Sequence, residues 1–171
     1  MRAGLALACA AWLCACMPAA PRDEVTADGY AGIRMGMTLA EAEAAAGRPL
    51  ILDDPLDEEG HCRTFVLSQP YADGQPVFMA EDGRVTRVSF YAVAGARTPE
   101  GVGVGAADAE VRAAYPNAVE EPAPYDEPPA HDLIAWLRPQ EAGYRFEVDG
   151  AGRVHALHAG TASILYIEGC L

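Results

Sequence analysis

The stretch GIRMGMTLAE at residues 32–41 recurs in altered form as GVGVGAADAE at residues 101–110, which is 69 positions further along the chain. The segments that follow the two copies also agree at this offset, mostly at glycines and prolines such as Gly83 and Gly152. Glycine and proline occupy positions where the backbone geometry requires them, so their shared spacing carries more weight than shared alanines. The chain is therefore predicted to contain a duplicated supersecondary unit.

Each copy begins with a short helix and continues into strands. In the first copy Thr38 and Glu41 form a Thr-x-x-Glu capping box, which satisfies free N–H groups at a helix start. Alternating apolar residues then predict strands, with a hairpin turn at residues 81–83. The predicted fold class is α+β, with two tandem repeats that share or abut sheets, each a short helix followed by an antiparallel three- to four-stranded meander. A final strand is predicted over residues 164–168.

The chain divides into four predicted segments. A signal peptide covers residues 1–15, a lipidated tether residues 16–29, repeat one residues 30–95 and repeat two residues 96–171. The first segment has an early arginine and an apolar run that ends in small residues, which is typical of a secretory signal. That apolar run is too short to span a bilayer stably.

The residues Leu13-Cys14-Ala15-Cys16 resemble a bacterial lipobox, in which the last cysteine receives the lipid. Secretion without a lipid is the alternative. Met17 follows Cys16, whereas lipoproteins retained in the inner membrane carry an aspartate there. The resemblance therefore implies an anchor in the outer membrane, on its periplasmic side, with a soluble periplasmic or secreted protein as the alternative.

The five cysteines of the chain can be divided by their expected fates once the predicted leader is removed. Cys9 and Cys14 leave with the signal peptide, and Cys16 would carry the lipid. Cys62 and Cys170 remain in an oxidising compartment, where two cysteines most simply form a disulfide. A reactive thiol and a metal ligand are the other interpretations of these two residues.

The charge of the chain excludes one class of partner. The formal net charge is -13, and all 12 basic residues are arginines. Such an acidic balance argues against binding of nucleic acid or of an anionic membrane surface through the field of the protein. Contact with the membrane is expected through the lipid anchor only, and no nucleic-acid partner is expected.

No catalytic, metal or cofactor site is predicted from the sequence. His155 and His158 on one strand would point to opposite faces of the sheet, which is poor geometry for chelation. His61 and Cys62, near two glutamates, could form a nucleophile pair, but adjacent strand residues point apart and a disulfide would remove the thiolate. The acidic loops at residues 53–59 and 120–127 lack the spacing of an EF-hand. The protein is therefore predicted not to be an enzyme.

Aromatic and arginine side chains are the candidate binding residues, because these types dominate binding hot spots. Trp136 and Tyr91 are the aromatic candidates, with burial in the core as the alternative role. Arg87, Arg145 and Glu147 are predicted to face solvent and to decorate one open face of the sheet.

The order of motifs resembles the SmpA/OmlA/BamE class of outer-membrane lipoprotein domains. The resemblance lies in Gly32, Gly36, Met37 and Thr38 at the helix start and in the hairpin FMAEDGRV at residues 78–85. Two tandem copies in one secreted chain are similar in layout to the beta-lactamase inhibitory protein. The resemblance implies a non-enzymatic binding or scaffold protein of the bacterial envelope.

The expected function is therefore that of a non-enzymatic envelope lipoprotein that binds another envelope or secreted protein, as a scaffold or as an inhibitor of a hydrolase. The alternative is a periplasmic protein that binds a small ligand or a carbohydrate, with aromatic side chains as stacking platforms. The sequence does not identify the partner or ligand, the oligomeric state, the sheet face that binds or the organism.

Overall fold

The computed structural model describes residues 24–53, 60–68, 74–91 and 95–170. The predicted signal peptide and the lipidation site Cys16 lie outside these residues. The described elements, in chain order, are β1 (Gly29–Tyr30), β2 (Ile33–Arg34), α1 (Leu39–Ala46), β3 (Ile51–Leu52), β4 (Cys62–Val66), β5 (Val77–Glu81), β6 (Arg84–Tyr91), α2 (Asp108–Ala114), β7 (Val119–Pro122), β8 (His131–Arg138), β9 (Ala142–Val148), β10 (Val154–Gly160) and a 3-10 helix (Ala162–Leu165).

Eight strands form one antiparallel sheet in the order β3-β4-β5-β6-β10-β9-β8-β7, and β1 pairs with β2 in a separate two-stranded sheet. Strands β6 and β10 meet at the centre of the large sheet, where His158 lies opposite Ser89. This central pairing joins the two halves of the chain into one continuous sheet.

The predicted fold class, an α+β fold of two tandem helix-and-meander repeats, is wrong. The described residues are mostly sheet, and among them only α1 and α2, of 8 and 7 residues, are α-helices. A four-stranded meander with one short helix buries little apolar surface, whereas the β6–β10 pairing gives both halves a common core. The predicted strand at residues 164–168 is also wrong, since Ala162–Leu165 is a 3-10 helix.

The starts of the two helices are fixed by the same backbone contact. The Gly36 N–H donates to the Val85 carbonyl at 2.7 Å, and the Gly105 N–H donates to the Val154 carbonyl at 2.7 Å. Both glycines have a positive φ, at 84° and 87°, which other residues rarely adopt. The internal sequence agreement thus corresponds to equivalent turns that lead into α1 and α2. The predicted boundary between the repeats, at residues 95 and 96, stays a prediction.

One face of the large sheet carries the hydrophobic core, together with α1, α2 and the first described residues. Fully or almost fully buried residues on this face include Phe78, Val88, Phe90, Leu133, Tyr144, Phe146 and Leu157. Alternation along each strand accounts for this, because every second side chain points to the same side.

The predicted tether extends less far than residue 29. Val25 is fully buried in the core, and its N–H donates to the Arg97 carbonyl at 2.7 Å. The described part of the predicted tether, from Glu24 onward, therefore belongs to the folded body. None of the helices in the described ranges is long and apolar enough to cross a membrane.

Candidate functional site

The candidate site lies on the face of the large sheet opposite the helices. The ten residues after β10 cross this face, and we call residues 161–170 the C-terminal strap. The strand residues that alternate with the core residues point toward the strap. Arg87 and Ser89 alternate with Val88 in β6, and Arg145 and Glu147 flank Phe146 in β9.

Five side chains on this face form a continuous buried polar chain. Arg145 Nη2 lies 2.8 Å from Asp132 Oδ2 and 3.2 Å from Glu147 Oε1. His158 Nε2 lies 2.9 Å from Glu147 Oε1, and its Nδ1 lies 2.8 Å from Ser89 Oγ. The contacts run from Asp132 through Arg145, Glu147 and His158 to Ser89. We call these five residues the buried polar chain. Register explains their contact, because His158 lies opposite both Ser89 and Arg145.

Burial determines the protonation state of His158, the histidine of the buried polar chain. Loss of hydration lowers the pKa of His158 to about 4, although the hydrogen bond with Glu147 opposes the shift. Burial alone would raise the pKa of Glu147, but the hydrogen bond and charge of His158, with Arg145, outweigh it and hold that pKa at about 2. At neutral pH the His158 Nε2–H therefore donates to the Glu147 carboxylate, and its Nδ1 accepts from the Ser89 hydroxyl.

Ser89, His158 and Glu147 have the residue types of a nucleophilic triad, but Ser89 and His158 are too deeply buried to act as one. Ser89 is 1% exposed and His158 2% exposed, so a substrate cannot reach the hydroxyl in this conformation. The arrangement satisfies buried polar groups and holds the central strands together.

We expect the stability of the protein to fall as the pH drops from 6.5 to 4. In this window the unfolded chain protonates His158 while the folded chain, with its lowered pKa, does not, so protons favour unfolding. A shift from 6.5 to about 4 corresponds to roughly 3 kcal/mol at the acidic end of the window. Urea unfolding at several pH values measures this slope.

The matched test of this pH dependence compares two histidines of the same strand. His158→Gln should flatten the slope between pH 4 and 6.5, and His155→Gln, at a half-exposed side chain of the same strand, is the control. The lowered pKa of Glu147 adds a loss only below its ordinary value of 4.5. An unchanged slope in His158→Gln would show that another group is responsible.

The strap is held to the sheet by main-chain contacts. Arg87 Nη1 donates to the carbonyls of Ser163 and Tyr166, both at 2.9 Å. Arg145 Nη1 donates to the Ile164 carbonyl at 3.4 Å, and the Ile164 side chain is fully buried. The strap thus covers the two arginines and the middle of the buried polar chain.

The predicted disulfide is confirmed. Cys62 in β4 is bonded to Cys170 at the end of the strap, with the Cα atoms 5.3 Å apart. The bond links positions 108 residues apart in sequence. The same bond excludes the predicted alternatives of a reactive thiol or a metal ligand at these residues in the oxidised protein. Glu58 and Glu59, the other members of the possible nucleophile cluster, lie outside the described residues.

At least three cavities among the described residues border the strap. The cavity that we call the Arg87 cavity has a volume of about 420 Å³ and is lined by Arg87, Tyr91, Thr64 and Gly169, among others. A second cavity, about 430 Å³, is lined by apolar side chains of β7, β8 and the strap, together with a few polar groups. The residues of this Trp136 groove that matter below are Val119, Glu121, Asp132, Ile134, Trp136, Leu165 and Ile167.

The structure separates the five predicted binding residues. Arg87 and Arg145 are each only 3% exposed, so the prediction that they face solvent is wrong. They lie on the expected side of the sheet, but the strap covers that side. Glu147, also predicted to face solvent, is partly covered, with its side chain 19% exposed. Tyr91 is 47% exposed at the Arg87 cavity, and Trp136 is half-buried in its groove.

The prediction for the histidine pair is also wrong. The register between β10 and β9 shifts between Val154 and Ala156, and this irregularity turns His155 toward the strap face. His155 Nε2 lies 3.7 Å from Glu147 Oε2, next to the contact of His158 with the same carboxylate. Among the described residues, no group of three or more His, Cys, Asp or Glu side chains could hold a metal ion.

Sequence reasoning missed Ser89, His158 and Asp132. The 69-residue offset between the two similar stretches could have indicated two of them, because Ser89 and His158 are 69 residues apart and so occupy equivalent positions. Equivalent residues face each other when the corresponding strands of two related halves pair at the centre of a sheet. Asp132 has no comparable signal, because its partner is set by the register of β8 and β9.

Comparison with known proteins gives similarity at the level of structure. No protein-family model and no curated protein matches the chain. One similar solved structure is an extracellular protein containing a SCP domain from Bacillus anthracis str. Ames, with a TM-score of 0.50 and 10% identity over 74% of this chain and 44% of that chain. Another is a cysteine-rich secretory protein from Staphylococcus aureus subsp. aureus Mu50, with a TM-score of 0.45 and 10% identity over 77% of this chain and 46% of that chain.

These comparisons correct the family resemblance. This chain spans less than half the length of either protein, and at 10% identity the likeness to the B. anthracis protein concerns the fold alone. The resemblance to the SmpA/OmlA/BamE class and to the layout of the beta-lactamase inhibitory protein is wrong, because the fold is similar instead to that of an extracellular protein containing a SCP domain. The motifs behind it were a turn, a helix cap and a hairpin, which unrelated folds also contain.

Proposed function

We propose that this chain is a non-enzymatic binding module of the bacterial cell envelope that holds a segment of a protein partner in the Trp136 groove. The observation that carries the proposal is the group of exposed apolar side chains at this groove. Val119 is 54% exposed, Leu165 43% and Ile167 49%, and Trp136 lies half-buried between them. Contiguous exposed apolar surface on a protein of this size is typical of an interaction site.

The charges around the groove indicate the chemistry of the partner. Asp132 and Arg145 line it as a buried pair whose charges offset each other, so Glu121 supplies the remaining charge of the lining. The whole chain carries a net charge of -13, which favours approach of a positively charged segment. The occupant that fits is therefore an extended or helical protein segment with apolar side chains flanked by arginine or lysine.

The proposed location is the periplasmic side of the outer membrane, with a lipid on Cys16 as the anchor. Its support is the signal-like leader and the lipobox-like residues that precede Cys16. Val25, Ala27 and Tyr30 pack into the hydrophobic core on the helix side of the sheet. Intact mass of the protein from a bacterial host, with and without a triacyl group on Cys16, tests the anchor.

The groove is tested with peptides of defined charge. We expect a labelled peptide with an apolar centre and arginine flanks to bind the Cys16→Ser protein, and the same peptide with glutamate flanks not to bind. Val119→Asp and Leu165→Asp should each weaken binding about tenfold or more, because a carboxylate would enter the apolar contact. Fluorescence anisotropy of the peptide measures the affinity.

The control for these variants is Ile51→Asp, at an exposed apolar residue of the opposite sheet edge. It should leave peptide affinity unchanged. The Cys16→Ser protein is expressed without residues 1–15, which contain Trp12, so Trp136 is its single tryptophan and its emission should shift when the groove fills. Equal affinity for both peptides, or equal loss in all three variants, would contradict the proposal. Saturable quenching by envelope saccharides instead would favour the carbohydrate-binding alternative.

A further inference from the structure

The Trp136 groove runs along β7 and β8, and its lining changes in character from one end to the other. The register of the strands places the side chains in three rows across the sheet: Glu121 opposite Asp132, Val119 opposite Ile134, and Trp136 opposite Gly143 of β9. Successive rows on one face of a sheet are two residues apart, so they are separated by about 6.7 Å and the three rows span about 13 Å. The groove thus presents an ordered series of three positions.

The row of Glu121, which we call the acidic end, carries an excess of carboxylates. Asp132 lies opposite Glu147 of β9 in this row, and Arg145 Nη2, which reaches it from the middle row, lies 2.8 Å from Asp132 Oδ2 and 3.2 Å from Glu147 Oε1. Glu121 is exposed and forms no ion pair with another residue in the described ranges. Three carboxylates therefore surround one guanidinium, and this end of the groove attracts a cation.

The opposite end of the groove is formed by Trp136 and is apolar. Gly143, which lies opposite Trp136, pairs in turn with Gly160 of β10, so β9 and β10 add no side chain to this row. A Cβ built on Gly143 would be 2.7 Å from Trp136 Cε3, which places the indole directly over that glycine. A flat indole surface suits an aliphatic side chain, whereas a charge there would lose water without gaining a counter-charge.

The size of the groove favours an extended segment over a helix. The volume of the groove is about 430 Å³. A helix about 10 Å across would occupy more than about twice that volume over the length of the three rows. An extended chain repeats every two residues, as the rows do, so its side chains at positions i, i+2 and i+4 meet the three rows in turn.

We propose that the Trp136 groove recognises an extended segment with one basic side chain at the acidic end and apolar side chains two and four residues away. The first apolar side chain packs between Val119 and Ile134, and the second packs on the Trp136 indole. This inference rests on the proposed function and adds an order to it: the basic residue is required at one end of the segment only. The rows fix the order of the side chains, and either chain direction satisfies that order.

The order is tested with labelled peptides on the Cys16→Ser protein at pH 8, where histidine side chains are uncharged. Arg-Ser-Leu-Ser-Leu and its reverse contain the proposed pattern, and the tighter of the two is the reference. Leu-Ser-Arg-Ser-Leu has the same composition with the cation in the apolar row, and we expect it to bind about tenfold more weakly or worse. Arg-Ser-Ser-Ser-Leu-Ser-Ser-Ser-Leu, which has helical spacing, should also bind more weakly. Fluorescence anisotropy measures each affinity.

Charge reversal at the acidic end tests which residue selects the cation. Glu121→Arg should weaken the reference peptide about threefold to tenfold and should bind the version with glutamate in place of arginine more tightly than the reference. Glu141→Arg is the matched control, because Glu141 is 77% exposed in the turn after β8, at the other end of the groove, and undergoes the same change in charge. It should keep the preference for the peptide with arginine.

The outcomes separate this inference from the proposed function. If the peptides bind but Leu-Ser-Arg-Ser-Leu or the helically spaced peptide binds as tightly as the reference, the proposed order is overturned while the groove remains a binding site. Reversal of the preference by Glu141→Arg to the same extent as by Glu121→Arg would also overturn it, because net charge alone would then account for selection. Binding of none of the peptides would overturn both proposals.

Discussion

Removal of the Cys62–Cys170 bond should lower the free energy of unfolding by about 4–5 kcal/mol. The bond closes a loop of 108 residues, and the chain-entropy model assigns about that much to a loop of this length. It also fixes the far end of the strap, whose other end continues from β10. Urea unfolding of Cys62→Ala/Cys170→Ala, in a Cys16→Ser background expressed without residues 1–15, measures the loss with no other thiol that could exchange.

The structural consequence of that loss should be local to the strap. Leu165 and Tyr166 are 43% and 45% exposed, and in the double variant chymotrypsin should cleave after them faster than in the oxidised protein. Wild-type protein treated with reductant is the matched comparison, and it should unfold at the same urea concentration as the double variant. A loss below about 1 kcal/mol would mean that the unfolded chain is already compact around these residues.

Arg145→Met should destabilise the protein by about 3–5 kcal/mol, because it leaves a buried carboxylate without its counter-charge. The Asp132 side chain is only 6% exposed and lies 2.8 Å from Arg145 Nη2. Burial raises the pKa of Asp132, and the charge of Arg145 opposes that rise. In Arg145→Met we therefore expect Asp132 to take up a proton at higher pH than in the wild type.

A double-mutant cycle distinguishes the loss of a charge pair from the loss of packing. Asp132→Leu/Arg145→Met should be more stable than Arg145→Met alone, since no unpaired carboxylate remains at position 132. Arg112→Met is the exposed control: Arg112 Nε lies 2.9 Å from Asp108, but the two side chains are 42% and 30% exposed. We expect a cost below about 1 kcal/mol there. If Arg145→Met and Arg112→Met lowered the free energy of unfolding equally, the explanation by an unpaired buried carboxylate would be contradicted.

Local elements were predictable because their signals are local. The α1 capping box is present as expected, with the Thr38 N–H donating to Glu41 Oε2 at 2.8 Å. At the predicted hairpin turn, residues 81–83, Asp82 and Gly83 adopt the positive φ values that such a turn requires. The disulfide was predictable for a different reason: if Cys9 and Cys14 leave with the predicted leader and Cys16 carries a lipid, only Cys62 and Cys170 remain to pair.

The fold class was not predictable in the same way, because the pairing of strands distant in sequence decides it. Nothing in β6 or β10 alone states that they pair, yet that pairing makes one eight-stranded sheet. The prediction that the strap face is exposed to solvent was wrong for a related reason. Arg87 and Arg145 have the polar character of surface residues, and only the position of the strap covers them.

By itself the sequence determined three features: the alternation that places Arg87, Arg145 and Glu147 on the face opposite the core, the two helix-start turns, and the cysteine pair. These features depend on neighbours a few residues away, or on counting. Only the tertiary structure decided that the two halves share a sheet, that His158 meets Ser89 and Glu147, and that the strap leaves one cavity at Arg87 and another at Trp136. Those features depend on register and on contacts between different strands, 69 residues apart for His158 and Ser89, which local propensity does not specify.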